Sequence, residues 1–384
     1  MATGRDRIRA ALDHKEGDGL PFDLGGTRVT GIHVNAYRRL RALLGLEPRE
    51  PRVADLTQQL ADVEPDVLDA LGCDVRNVAP RAASTYRREF HDDGTHRWYV
   101  DEWGVGRRIP LKGGLYYDSF APPLAGEPDD AAIDGFAWPD PADLARYAGM
   151  ADEARAFAAE GRAVHAGSIC GGLTEGLFKM RGFEDGYMDL AAEPARARRV
   201  MVRILEIKLA YWERLLPQLG DTVDIVGEAD DLGGQRGPLF SPATYRTLVK
   251  PLQRELFDFI HARTEAKVFF HTCGAVHELI PDLLEIGVDI LNPVQVSAAG
   301  MDTAELKREF GRDLVFWGGG VDTQRVLGGG TPDEVRAEAR RRIDDLAAGG
   351  GFVFATVHNI QPDVPPENIL AVHEVVRAWE PTHA

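Results

Sequence analysis

The chain has 384 residues, a length that a single α/β barrel with insertions commonly reaches. Its 44 basic against 61 acidic residues give a formal charge of -17, which repels phosphate backbones and anionic lipid heads and argues against nucleic acid and membrane surfaces as partners. Three cysteines form no secreted-style framework, and with no apolar leader or ~20-residue apolar span the expectation is a soluble, cytoplasmic protein.

In chain order, short apolar runs alternate with longer amphipathic stretches. Strands are predicted at 20–24, 73–78, 163–168, 223–227, 267–271, 289–292, 313–317 and 351–356. Eight such runs with helices between them predict a parallel (β/α)8 TIM barrel spanning 1–384 as one domain. The stretch 85–114 breaks the alternation: Tyr86, Phe90, Trp98, Tyr99 and Trp103 stand among charges around the turn Asp92-Asp93-Gly94. It predicts a β-hairpin insertion after the second strand, placed to cover one end of the barrel. The Pro-, Gly- and Asp-rich stretch 121–142 reads as an exposed linker. Helix starts are legible at Ser241-Pro242, at Asp302 with Glu305, and at Thr331-Pro332, where Glu334 adds a capping box.

In such a barrel the active site lies at the C-terminal strand ends, so the residues after each run carry the chemistry. Those residues are polar. Asp23 and Arg28 follow the first run; Glu228, Asp230, Asp231 and Gln235 the fourth; His271 and Cys273 the fifth. Asn292 and Gln295 follow the sixth, Gln324 the seventh and His358 the eighth. An imidazole and a thiol two positions apart at a strand end point the same way and can share one zinc ion, with His358 as third ligand from another strand. Three ligands leave a position open for substrate. Within Glu228-Ala229-Asp230-Asp231, two adjacent carboxylates cannot both point inward from an extended chain. One of the pair is expected at a helix cap and the other in the cavity as a proton donor or hydrogen-bond acceptor. Asp23, Arg28, Gln235, Asn292, Gln295 and Gln324 are the candidate substrate-binding residues.

Other patterns fail. His277-Glu278 and His373-Glu374 each open an HExxH helix, but Pro281 and Arg377 stand where the second histidine belongs. Gly318-Gly319-Gly320 does not complete a dinucleotide fingerprint, and Cys73 and Cys170 lack histidine neighbours at ligand spacing.

The run FFHTCGAVHELIPDLLEIGVDILNPVQ resembles the signature of the uroporphyrinogen decarboxylase superfamily, in particular its corrinoid-linked methyltransferase branch. The resemblance continues in PFDLGGTRVTGIHVNAYRRLRALLGL, DIVGEADDLGGQRGPLFSPATYRTLVKP, FWGGGVDTQ and HNIQPDVPPENILAVHEVV, which together reach over nearly the whole chain. It implies a (β/α)8 barrel and a zinc ion held by a His-x-Cys pair and a later cysteine. His271 and Cys273 match the pair; at the later position this chain reads Val357-His358-Asn359. A neutral imidazole in place of a thiolate leaves the site one negative charge poorer and the metal a stronger Lewis acid.

The resemblance implies a zinc-dependent methyltransferase moving a methyl group between a small methylated compound or thiol and a corrinoid (methylcobalamin). The chain carries no Asp-x-His-x-x-Gly corrinoid signature, so the corrinoid would arrive on a partner protein. In this reading Asp230 or Asp231 protonates a leaving atom. A homodimer is also implied. The alternative is a decarboxylase-like lyase, with or without metal. Against heme biosynthesis, the stretch 21–28 holds one arginine, Arg28, and an added aspartate, Asp23, where the porphyrinogen decarboxylases resemble PxWxMRQAGR.

Overall fold

The computed structural model describes residues 2–381. Seven parallel strands, Val75–Val78, Ala163–Gly167, Ile225–Ala229, Lys267–His271, Ile290–Asn292, Val315–Trp317 and Phe352–Val353, pair in chain order into one curled sheet with helices between them. The register is regular: Phe270 stands opposite Glu228 on one side and Leu291 on the other.

The predicted strand at 20–24 is reduced to a single bridge between Phe22 and Phe354, yet it closes the ring. Asp23 N–H donates to the Phe354 carbonyl, Phe354 N–H to the Pro21 carbonyl and Asp74 N–H to the Phe22 carbonyl, each at 2.9 Å. The ladder stops there because the Phe22 N–H is taken by the Asp74 carboxylate at 3.0 Å rather than by backbone. The fourth predicted strand is shifted by two residues, so Glu228 and Ala229 lie inside it rather than beyond its end.

Alternation along the strands sets the barrel interior. Val75, Ala163, Ile225, Phe269, Ile290, Val315, Trp317 and Val353 form one buried cluster, and Ile8, Ala11 and Leu12 of the helix Gly4–Leu12 join it from below. That helix starts with Thr3 and Asp6 in a capping box. The capping box expected at Thr331 and Glu334 forms, and Ser241 and Asp302 cap their helices as expected.

The insertion is larger than a hairpin. Four antiparallel strands, His91–Asp92, His96–Val100, Gly106–Pro110 and Asp118–Ala121, make a separate sheet. The stretch 121–142 stays largely exposed but carries the helix Asp130–Asp134 and is anchored by Leu124 and Ile133, both buried. Among the described residues no helix is long and apolar enough to cross a membrane.

Candidate metal centre

The strand Lys267–His271 ends at the rim and delivers His271; three residues on, the chain turns sharply at Gly274, with φ of 91°. A side chain there is excluded, because a Cβ would lie 2.3 Å from the Gly233 carbonyl carbon. This close approach of the two loops holds Cys273 beside Asp231, which stands two residues beyond the strand Ile225–Ala229. His358, in the loop after the strand Phe352–Val353, reaches the same point, its ring centroid 5.6 Å from that of His271. The ligand atoms of His271, Cys273 and His358 all lie within 4.8 Å of one another.

The protonation pattern suits a cation. Asn292 Nδ2 donates to the Trp317 carbonyl at 2.8 Å, which turns its Oδ1 toward His271 Nδ1 at 2.6 Å. Nδ1 therefore carries the proton, and Nε2, 3.4 Å from Cys273 Sγ, presents its lone pair to the centre. Burial, with the nearby His271 second, lowers the pKa of His358 to about 4, so its imidazole is neutral and free to ligate. Burial first and then the Asp231 carboxylate push the Cys273 thiol well up, an arrangement that a divalent cation reverses by binding the thiolate. The residues present thus fit a zinc ion with three protein ligands.

Asp231 is the carboxylate at the centre. Its Oδ1 accepts from the Cys273 N–H at 2.9 Å and lies 3.9 Å from His271 Nε2. Asp230 points the other way. It accepts from the Thr174 and Glu175 N–H groups at 3.0 Å and from Gln253 Nε2 at 3.0 Å, capping the helix Leu173–Arg181. Of the two adjacent carboxylates the alternation of the extended chain sends one each way, and Asp230 is the one removed from the cavity. Burial raises the Asp230 pKa to about 6.

Glu228 lines the cavity below the centre but is engaged. Its oxygens accept from Lys208 Nζ at 2.5 Å, Trp212 Nε1 at 2.6 Å and Ser168 Oγ at 3.0 Å, and the Lys208 side chain is fully buried. These three hydrogen bonds fix the Glu228 carboxylate in the cavity wall.

The substrate-binding candidates divide. Arg28 lines the inner cavity and pairs with Asp55 at 3.1 Å; Gln295 and Gln324 line an outer one. Asn292 stands behind His271 and reaches no cavity among those described. Asp23 is buried in a clasp, accepting from Gly26 N, Thr30 Oγ1 and Trp317 Nε1, because the loop 25–31 has to be tied down where the barrel closes. Gln235 is exposed at the tip of the 233–238 turn.

Two cavities meet at the centre. The inner one, about 480 Å³, lies within the barrel mouth and has His271, Asp231 and His358 on its wall. The outer one, about 770 Å³, is walled by Cys273, His358, Gln295 and, from the segment after the third insertion strand, Leu115 and Tyr116. Leu115 and Tyr116, just beyond the predicted 85–114 insertion, thus cover part of the barrel mouth. Tyr116 is held there by a hydrogen bond from its hydroxyl to Gln361 Oε1 and by an edge contact with His33.

Sequence reading passed over His165 and Asn77. His165 Nδ1 lies 2.8 Å from Asn77 Oδ1, both residues line the inner cavity, and burial lowers the His165 pKa to about 4. The signal was present in the period-two alternation: Asn77 follows Val75, and His165 follows Ala163, on the inward face.

The closed parallel sheet with its polar rim defines an α/β barrel of the TIM type. The uroporphyrinogen decarboxylase (URO-D) family model matches residues 121–379, and the chain belongs to that family. It is 26% identical over 191 residues to the uroporphyrinogen decarboxylase of Pelodictyon phaeoclathratiforme, covering 48% of this chain and 50% of that protein. A shorter match, 39% identical over 85 residues, covers 20% of this chain and 23% of the uroporphyrinogen decarboxylase of Pseudoalteromonas translucida. The chain therefore spans at most about half the length of these curated relatives. Among solved structures, a methyltransferase from Methanosarcina mazei shares the fold over 98% of both chains, with a TM-score of 0.64 at 17% identity.

Proposed function

We propose that this protein is a zinc-dependent methyltransferase, moving a methyl group between a small methylated compound or thiol and a corrinoid carried on a partner protein. One observation carries the reading: the three ligands His271, Cys273 and His358 stand where two cavities adjoin, with His358 on both walls. A transfer reaction needs two partners brought to one centre from different sides, and this arrangement offers that. The methyltransferase fold shared with the Methanosarcina protein supports it.

When bound, zinc polarises a methylated heteroatom or holds a thiol as thiolate. The chain's own residues do the remainder. Asn292 fixes the His271 ring, and Asp231, one residue's reach from the ligands and partly open to the inner cavity, exchanges a proton with the leaving or entering atom. The inner cavity takes the small substrate. The wider outer cavity admits the corrinoid from the partner.

The competing reading, a decarboxylase, draws on the names of the curated relatives. The inner cavity opposes it: its cations Arg28 and Lys179 already face Asp55 at 3.1 Å and Glu175 at 3.6 Å, leaving little to hold a multiply anionic substrate. Metal analysis of the purified protein, followed by methyl transfer to free cob(I)alamin from methoxylated, methylamine and methylthio compounds, tests the proposal. Near-stoichiometric zinc that is lost in His271→Ala, with transfer from one class, is the expected result. Absence of zinc, or corrinoid-independent release of carbon dioxide, overturns it.

A further inference from the structure

A small antiparallel hairpin, Val53–Asp55 with Leu60–Ala61, sets its tip on the inner cavity, where Asp55 and Gln58 both form part of the wall. The function proposed above gives Gln58 no part. Its tip is held from three sides. Asp55 Oδ1 accepts from the Gln58 N–H at 2.9 Å, the Tyr117 N–H donates to the Thr57 carbonyl at 2.9 Å, and the Val34 N–H donates to the Gln59 carbonyl at 3.0 Å. Gln59 holds a φ of 54°, a left-handed conformation uncommon outside glycine, and so turns the chain back into Leu60.

The orientation of the Gln58 amide follows from a backbone donor. The Gly31 N–H can only donate, and it reaches Asn359 Oδ1 at 2.6 Å. The other end of that carboxamide, Nδ2, therefore faces Gln58 and donates to its Oε1 at 3.0 Å. Gln58 Nε2 is left as a donor on the cavity wall, and among the described residues nothing accepts from it. Asn359 is fully buried and directly follows His358, so the Gln58 amide is tied to the loop that carries the third ligand.

The charges nearby select a neutral acceptor. Arg28 is paired with Asp55 at 3.1 Å, Lys179 faces Glu175 at 3.6 Å, and the Asp231 carboxylate lies on the same cavity, so an anionic group finds no free cation there. A donor fixed in advance rewards a substrate oxygen that meets it and penalises an analogue that lacks one. We infer that Gln58 is a specificity-determining residue of the inner cavity, its Nε2 donating to a neutral carbonyl-type oxygen that the substrate carries beside its transferable methyl group. The inference rests on the methyl-transfer reading for the identity of the methylated end, whereas the carbonyl contact is read from binding alone.

The test uses the full chain, with and without added zinc, and two methyl ethers of nearly the same shape: methoxyacetone, and methallyl methyl ether, in which a methylene replaces the carbonyl oxygen. Affinities come from saturation-transfer NMR. The contact is read from the side-chain amide resonances of glutamine-labelled protein, assigned to Gln58 by their absence in Gln58→Glu. Expected are methoxyacetone binding about three- to tenfold tighter than the alkene, the worth of one neutral hydrogen bond, and a downfield shift of a Gln58 amide proton with methoxyacetone only. Gln58→Glu keeps an oxygen for Asn359 but turns the donor into an acceptor, and is expected to abolish the preference with zinc content unchanged. Equal affinities for the two ethers in the wild type, a Gln58 resonance that ignores methoxyacetone, or a preference retained in Gln58→Glu overturns the inference. Where Gln58→Glu does not fold, Gln58→Leu takes its place, since it removes the donor without adding a charge. Discrimination at Gln58 in a protein that takes up no zinc leaves the contact standing and removes the methyl-transfer reading; zinc uptake and methyl transfer to cob(I)alamin with no discrimination at Gln58 do the reverse.

Discussion

The Asn292 carboxamide and the His271 imidazole act as one unit, because the Trp317 carbonyl takes the amide protons and so turns the amide oxygen onto Nδ1 at 2.6 Å. Removing that oxygen frees the ring to rotate and to change tautomer. Asn292→Ala is therefore expected to weaken zinc binding by about 10- to 100-fold, the usual cost of deleting such an outer partner. Competition with a chromophoric chelator measures it. An unchanged affinity would mean that His271 is oriented by packing alone.

Asp230 and Asp231 are adjacent but face opposite ways, and their isosteric variants are expected to part accordingly. Asp231→Asn keeps an oxygen for the Cys273 N–H but loses the proton-transfer group, so turnover should fall by about 10²- to 10⁴-fold with zinc content retained. Asp230→Asn presents an amide to the Thr174 and Glu175 N–H groups and to the Gln253 amide, and is expected to lower stability by about 1–3 kcal/mol while sparing turnover. Urea unfolding and cob(I)alamin methylation read the two quantities separately. Loss of turnover in Asp230→Asn at unchanged stability would reverse the assignment.

How far the chain could be read in advance follows from which contacts are local. The strand Lys267–His271 and the caps at Thr331 and Asp302 are set by patterns within a few residues, and each stands where its sequence places it. The juxtaposition of His271, Cys273 and His358 was also legible, since strand ends in a barrel share one rim. What alternation could not decide was direction: Asp23 follows a strand like His271, yet the Trp317 indole from the opposite side of the chain's length claims its oxygen. The same holds for Glu228, whose partner Lys208 lies on the preceding helix and offers no sequence cue beyond an isolated lysine in an apolar helix face. The extra insertion strands were missed because their residues do not alternate: Gly106–Pro110 is buried only at its first two residues and Asp118–Ala121 is exposed throughout.

Asp23 gives a pH signature. Burial raises its pKa from 3.8 to about 6, against the opposing hydrogen bonds from Thr30 and Trp317. The folded state therefore holds this proton more tightly than the unfolded chain. Stability attributable to Asp23 is fully present below about pH 4 and is lost as pH rises toward about pH 6, by roughly 3 kcal/mol for a shift of this size. Asp23→Asn is expected to flatten this part of the stability profile whatever it does to the baseline. Urea midpoints between pH 4 and 7 test it, and an equal slope in the variant would show that Asp23 is ionised throughout.

The Lys208–Glu228 pair is buried on both sides, with side-chain exposures of 0% and 1%. The ammonium group is fully satisfied, donating to Glu228 Oε2 at 2.5 Å, Ser168 Oγ at 2.9 Å and the Cys170 carbonyl at 3.3 Å. Lys208→Met leaves the Glu228 carboxylate desolvated with only Ser168 and Trp212 to stabilise it, and is expected to cost about 3–5 kcal/mol. Adding Glu228→Gln removes the stranded charge while keeping an oxygen for the Trp212 N–H, so the double variant should recover most of that loss. The recovery matters because Ser168, Cys170 and Glu228 all line the inner cavity. A double variant as stable as the wild type but unable to bind the small substrate would show that the pair shapes the cavity floor. Equal instability in single and double variants would instead mean that the lysine stem packs the helix against the sheet and that its charge contributes little.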